Sequence, residues 1–176
     1  MKVINLLETK YRGSNSYFID DQGNIKNPGA LDYIPEAQLD PFTLKSVTGG
    51  SLPAGMVWYC YQLFNEFGSA SKLSPISTSF HLCASSSNQS TVKYMGSYEG
   101  ENSGKGVLMS TKLHVHDFDY CRVYRIISTS NNEIPKVYVI DEVPIKNVID
   151  TFTYVDRGSS FLNEISIEEF NNINNA

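Results

Sequence analysis

The chain has 176 residues, which suits one domain of ordinary size with extensions, and its 41% hydrophobic residues suffice for a packed core and exclude wholesale disorder. Fourteen Lys and Arg against nineteen Asp and Glu give a net charge of −5 with no cationic cluster. That excludes nucleic acid as the main partner, because phosphate binding needs grouped Lys and Arg.

Residues 1–54 read as an extended arm. Met1 to Glu8 is interrupted by charge too soon to be a signal peptide. Turn signals recur at Asp20 to Asn24, at Asn27-Pro28-Gly29 and at Thr48-Gly49-Gly50, and further prolines stand at Pro35, Pro41 and Pro53. One short strand is expected at Ser16 to Ile19. With so little apolar periodicity the arm needs another surface to lie on.

The pattern changes at Gly55. Met56 to Phe64 is predicted to be a long strand with bulky groups on both faces, Val57, Tyr59, Tyr61 and Leu63 on one and Met56, Trp58, Cys60, Gln62 and Phe64 on the other. A strand apolar on both faces is buried on both, so one face is expected to meet the arm or a neighbouring subunit. A turn at residues 65–69 leads to a second strand over residues 73–82, with Pro75 near its start. Residues 84–91 are a polar loop, residues 92–98 a third strand, and residues 100–106 another loop. Further strands are expected at 107–115, 120–127, 136–140 and 151–155, separated by Asn, Ser, Pro and Asp at the spacing of an antiparallel sandwich. Residues 159–176 read as a linker with a short helix, in which Ser166 and Glu169 form a capping box. The fold class expected is therefore all-β: an antiparallel, fibronectin- or immunoglobulin-like β-sandwich over residues 55–158, with an N-terminal arm and a short C-terminal helix.

Motifs for chemistry are weak. Glu99 to Gly106 fails the spacing of a phosphate-binding loop and precedes a strand, where such a loop requires a helix. His114 and His116 stand two apart on a strand and share a face, with His81, Asp117 or Asp119 as a conceivable third ligand, but they equally suit the polar end of a strand. The residue pairs Asp20/Asp21, Glu133/Asp141 and Glu168/Glu169 read as solvated charges, not acid–base dyads. No G-x-S-x-G elbow is present. Cys60, Cys83 and Cys121 are odd in number and far apart, as expected of reduced thiols. Asn88-Gln89-Ser90 fits a glycosylation sequon that only a secretory route would use. Tyr94, Tyr98 and Tyr138 suit a subunit interface better than a sugar platform. No apolar run approaches the roughly 18 residues of a membrane span.

The run from Gly55 to Pro75, with its N-x-x-G-x-x-S-x-x-S segment at Asn65, Gly68, Ser71 and Ser74, resembles the last hairpin of a fibronectin type III domain. Tyr120 to Ile126 resembles the Y-x-V-Y-R strand of the same fold. In this inverted order, and joined to Ile134 to Glu142 and Phe152 to Gly158, they are similar to the tail stabilisation, nozzle or "muzzle" proteins of short-tailed, crAss-like bacteriophages. The resemblance covers roughly residues 50–170. It implies a structural component of a phage tail, located in the virion and made in the bacterial cytoplasm. It also implies copies of itself in a ring and other tail proteins as partners, with no cofactor, no catalytic residue and no metal site. Those proteins are longer, so the chain is expected to be part of a precursor whose remainder would also be a partner. The alternative is a carbohydrate- or surface-binding sandwich module of a bacterial extracellular protein. A hydrolase is the third class, and no constellation of residues supports it.

Overall fold

The computed structural model describes residues 38–84, 97–114, 116–131 and 133–175. The expected strand at Ser16 to Ile19, nearly all of the one at 92–98, the sequon and Tyr94 lie outside these. Nine strands are present among the described residues: β1 (Thr43–Thr48), β2 (Gly55–Phe64), β3 (Ala70–Leu73), β4 (Phe80–Leu82), β5 (Lys105–Lys112), β6 (Tyr120–Ser128), β7 (Lys136–Pro144), β8 (Thr151–Asp156) and β9 (Asn163–Ile165). They precede helix α1 (Ile167–Asn172) and a 3-10 turn at Ile173–Asn175. All pairing is antiparallel. One sheet has the order β1-β5-β8, the other β3-β2-β6-β7-β9, with β4 also on β2.

The β2 alternation dictates the layering. Val57, Tyr59, Tyr61 and Leu63 are buried between the sheets with Val107 and Met109 of β5, Cys121 and Val123 of β6 and Phe152 of β8. The other β2 face carries Cys60, which packs with Tyr124, Ile126, Val137 and Val139 beneath Ile165 of β9 and Phe170 of α1. Of the two faces, the first meets Phe42 and Leu52 from the segment read as arm, and the C-terminal strand and helix of the same chain cover much of the other. Tyr61, Val123, Tyr124 and Val139 are buried, whereas Trp58 and Tyr154 are half-buried.

Within the segment read as an arm, residues 43–48 form β1 and pair with β5 from Thr43↔Ser110 to Thr48↔Lys105. Phe42 and Leu52 belong to the main core. A β-bulge in β7, between the pairs Val123↔Asp141 and Tyr124↔Val139, leaves Ile140 unpaired and buried between the sheets.

The segment expected as one strand over 73–82 is two short strands joined by a serine ladder. Ser71, Ser74 and Ser77, spaced by three, are buried along the β2 edge. Their hydroxyls accept the backbone N–H groups of Leu63, Tyr61 and Tyr59, each at 3.0 Å. Each hydroxyl also donates to the carbonyl of the following residue, Lys72, Pro75 or Thr78. Ser and Pro thereby close a sheet edge that a regular strand would leave open for further pairing. The Asn65 side chain accepts the N–H groups of Phe67 and Ser69 and holds the turn that begins the ladder. Replacing Ser74 by Ala would leave the Tyr61 N–H buried without its side-chain acceptor. The expected loss is about 1–3 kcal/mol in a urea titration, while Lys72→Ala on the exposed side should leave the midpoint nearly unchanged.

Candidate interaction surfaces

The strands run between two ends of the sandwich. At the first end lie Phe64, Lys112, Tyr120, Pro144 and Thr151, and at the second lie Gly55, Lys105, Ser128, Lys136 and Asp156. Of the sequence-selected polar residues, His114, His116, Asp117 and Asp119 come together at the first end, whereas His81 and Glu133 lie at the second.

At the first end, His114 Nε2 lies 2.9 Å from Asp40 Oδ2, tying the start of the β1 segment to the end of β5. His116 turns inward to its own loop, where its Nδ1 accepts the Phe118 N–H at 3.1 Å. Both line a cleft of about 560 Å³ with Asp117, Asp119, Lys146 and Asp150. Cations there are matched by anions: Lys146 pairs with Asp119 at 3.4 Å, and Lys112 approaches Asp150 at 4.0 Å. Among the described residues no group of three His, Cys, Asp or Glu converges as metal ligands would. His81, the conceivable third ligand, is at the second end opposite Met56. Its Nε2 lies 3.5 Å from the Cys83 sulfur.

The other two thiols are shielded. Cys60 and Cys121 are fully buried, and burial pushes the Cys60 thiol up to about 12 and that of Cys121 higher still. Neither supplies a thiolate near neutrality.

The Glu99 to Gly106 loop turns its polar groups toward the chain itself. Ser103 Oγ donates to the Leu52 carbonyl at 2.6 Å, and the Gly104 carbonyl accepts from the N–H groups of Gly49 and Gly50. It runs directly into β5. Glu133 lies in the β6–β7 turn, remote from Asp141, which accepts the Tyr154 hydroxyl at 3.0 Å. Glu168 and Glu169 occupy the first turn of α1, where the Ser166 hydroxyl accepts the Glu169 N–H at 3.1 Å. Carboxylates there complement the helix dipole.

Sequence reading missed the strongest electrostatic feature. Arg125 on β6 and Asp156 on β8 join the two sheets, with Nη1 at 2.9 and 2.8 Å from the two carboxylate oxygens and both side chains under a tenth exposed. The Tyr59 hydroxyl donates to Asp156 Oδ2 at 2.8 Å, and the Gly158 N–H donates to Oδ1 at 2.9 Å. Gly158 has φ +75°, and a Cβ there would come within 2.8 Å of the Leu52 backbone nitrogen, so this turn requires glycine. Burial and then the Asp156 charge hold the Tyr59 phenol well above its ordinary range. The Arg125 guanidinium also lies over the Tyr138 ring, 5.0 Å from its centroid. The signal was present in β6: Arg125 falls in the inward set Cys121, Val123, Arg125, Ile127. A charge at an apolar position of period two needs a buried partner.

Large exposed apolar side chains cluster at the two ends. Phe67 and Ile149 are 85% and 97% exposed at the first, and Ile134 and Phe161 are 77% and 51% exposed at the second, while Leu162 beside Val139 and Ile76 along the β2 edge are exposed between them. Between Ile134 and Phe161 runs a groove of about 310 Å³ that includes Pro53, Arg125, Ile127 and Tyr138. Tyr138 packs against Phe161, ring centroids 4.8 Å apart, and does not offer a free stacking platform. No helix among the described residues is long and apolar enough to cross a membrane.

Together these features define an all-β sandwich with a hydrogen-bonded polar interior and apolar ends. The chain belongs to the family described as Crassvirus muzzle protein, which it matches over residues 1–176, and it is thus a structural component of a phage particle. No curated protein matches it.

Proposed function

We propose that the chain is passive architecture of the phage tail, assembling with copies of itself in a ring, without turnover and without a required cofactor. The observation that carries this reading is the placement of exposed Ile149 and Phe67 at one end of the sandwich and of Ile134 and Phe161 at the other. Contiguous exposed apolar groups mark association surfaces, and a ring forms when the same two patches meet repeatedly around a closed axis. Each contact would bury on the order of 1,000 Å² or more. Contacts with other tail proteins, and with the remainder of a longer precursor made in the bacterial cytoplasm, belong to the same reading. A sugar-binding role is less well supported, because Tyr138 is packed between Arg125 and Phe161. Purified virions washed with a chelator test the proposal. The chain should remain with the particles at unchanged stoichiometry, and His114→Ala with His116→Ala should leave incorporation unaltered. Release by the chelator, or loss of incorporation in that variant, would contradict the metal-free architectural role.

A further inference from the structure

We infer that copies of the chain meet head to tail, the Ile149 loop of one copy seating in the Ile134–Phe161 groove of the next. This rests on the self-assembly proposed above and specifies its contact. The loop is a fixed projection. Ile145 N–H donates to the Asp119 carbonyl, Val148 N–H to the Ile145 carbonyl, and the Asp150 carbonyl accepts from Leu113 N–H. Ile149 thus points outward at 97% exposure on a backbone held from both sides. A held projection loses little conformational entropy on docking.

The groove at the opposite end matches it in shape and charge. Its walls are Pro53, Ile127, Ile134, Tyr138 and Phe161, and at about 310 Å³ it has room for an aliphatic side chain. The exposed pair Glu133 and Lys136 flanks Ile134, while Lys146 and Asp150, 61% and 68% exposed, flank Ile149. Lys146 can therefore face Glu133 while Asp150 faces Lys136, a complementarity that fixes orientation. Arg125, buried at the base of the groove against Asp156, contributes its aliphatic stem and the edge of its guanidinium to the lining. Phe67 is the other apolar projection at the first end, but Glu66 beside it would approach Glu133 with like charge. Because knob and groove are different surfaces, the contact is heterologous and propagates from copy to copy until it closes.

Cysteine pairing tests this in the full chain carrying Cys83→Ser, which removes the accessible native thiol. Ile149→Cys mixed with Ile134→Cys should give disulfide-linked dimers on mild oxidation, and neither variant alone should. Both substitutions in one chain should give a ladder of linked multimers. Ile149→Asp should weaken self-association at least about tenfold without lowering the melting temperature, whereas Phe67→Ser should not weaken it. Assemblies that form normally but cross-link only within the Ile149→Cys sample, or not at all, would overturn the head-to-tail contact and leave the ring reading intact. A chain that stays monomeric at every concentration tested would overturn both.

Discussion

Arg125→Met should lower the unfolding free energy by about 3–5 kcal/mol, the cost of leaving a buried carboxylate without its counter-charge. Asp156 lies between the sheets, and its remaining donors, the Tyr59 hydroxyl and the Gly158 N–H, do not neutralise it. The Tyr138 ring also loses the cation stacked on it. By comparison, the exposed-side pair of Arg122 and Glu142, at 2.7 Å with both side chains about a third exposed, should give less than about 1 kcal/mol when broken. Urea titrations of Arg125→Met, Asp156→Asn and the double variant would read the difference. The single losses should not add, because each removes the same pair. A loss under about 1 kcal/mol for Arg125→Met would mean the two sheets do not depend on this contact.

The second large effect concerns where the domain begins. A chain starting at residue 38 should keep a cooperative thermal transition, because it retains every contact described here. One starting at residue 55 should not fold. It lacks β1, and it lacks Phe42 and Leu52 from the main core. It also lacks the Asp40 carbonyl that accepts from the Tyr61 and Thr111 hydroxyls, and the Leu52 carbonyl that accepts from Ser103. Phe42 packs against Tyr61, ring centroids 4.8 Å apart, and Phe42→Ala alone should cost about 3–5 kcal/mol. That is a large share of the 5–15 kcal/mol typical of a domain. Circular dichroism melts of the two truncations decide the matter, and a sharp transition in the shorter chain would place the domain boundary after residue 54.

Much of the sandwich was legible because its central strands are marked on both faces. The two period-two sets of β2 and the alternation Val107, Met109, Thr111 in β5 pointed to buried strands, and burial follows those sets. The capping box at Ser166 and Glu169 gave the helix start, and the helix continues through Asn171 and Asn172 although Asn is a weak helix former. β1 escaped notice because it is an edge strand. Its only apolar residues, Leu44 and Val47, are three apart, and its order comes from pairing with β5 and not from its own pattern. β9, three residues long in a segment read as linker, escaped for the same reason. The spacing of Ser71 and Ser74 was visible as a motif, but its role was not, because the bonds that the three hydroxyls make to the β2 backbone exist only once the strands are paired. The apolar ends were not legible at all. Ile134, Ile149 and Phe161 sit in turns, where sequence alone does not separate an exposed side chain from one folded back onto the core.

The central claim is that these ends make the chain an assembling part of the virion. Electron microscopy of the purified chain at assembling concentrations, with class averages sorted by rotational symmetry, tests it most directly. Closed rings of uniform copy number, absent in Ile149→Asp, are the expected result. Monomers alone, or open filaments and irregular aggregates unaffected by that substitution, would contradict it.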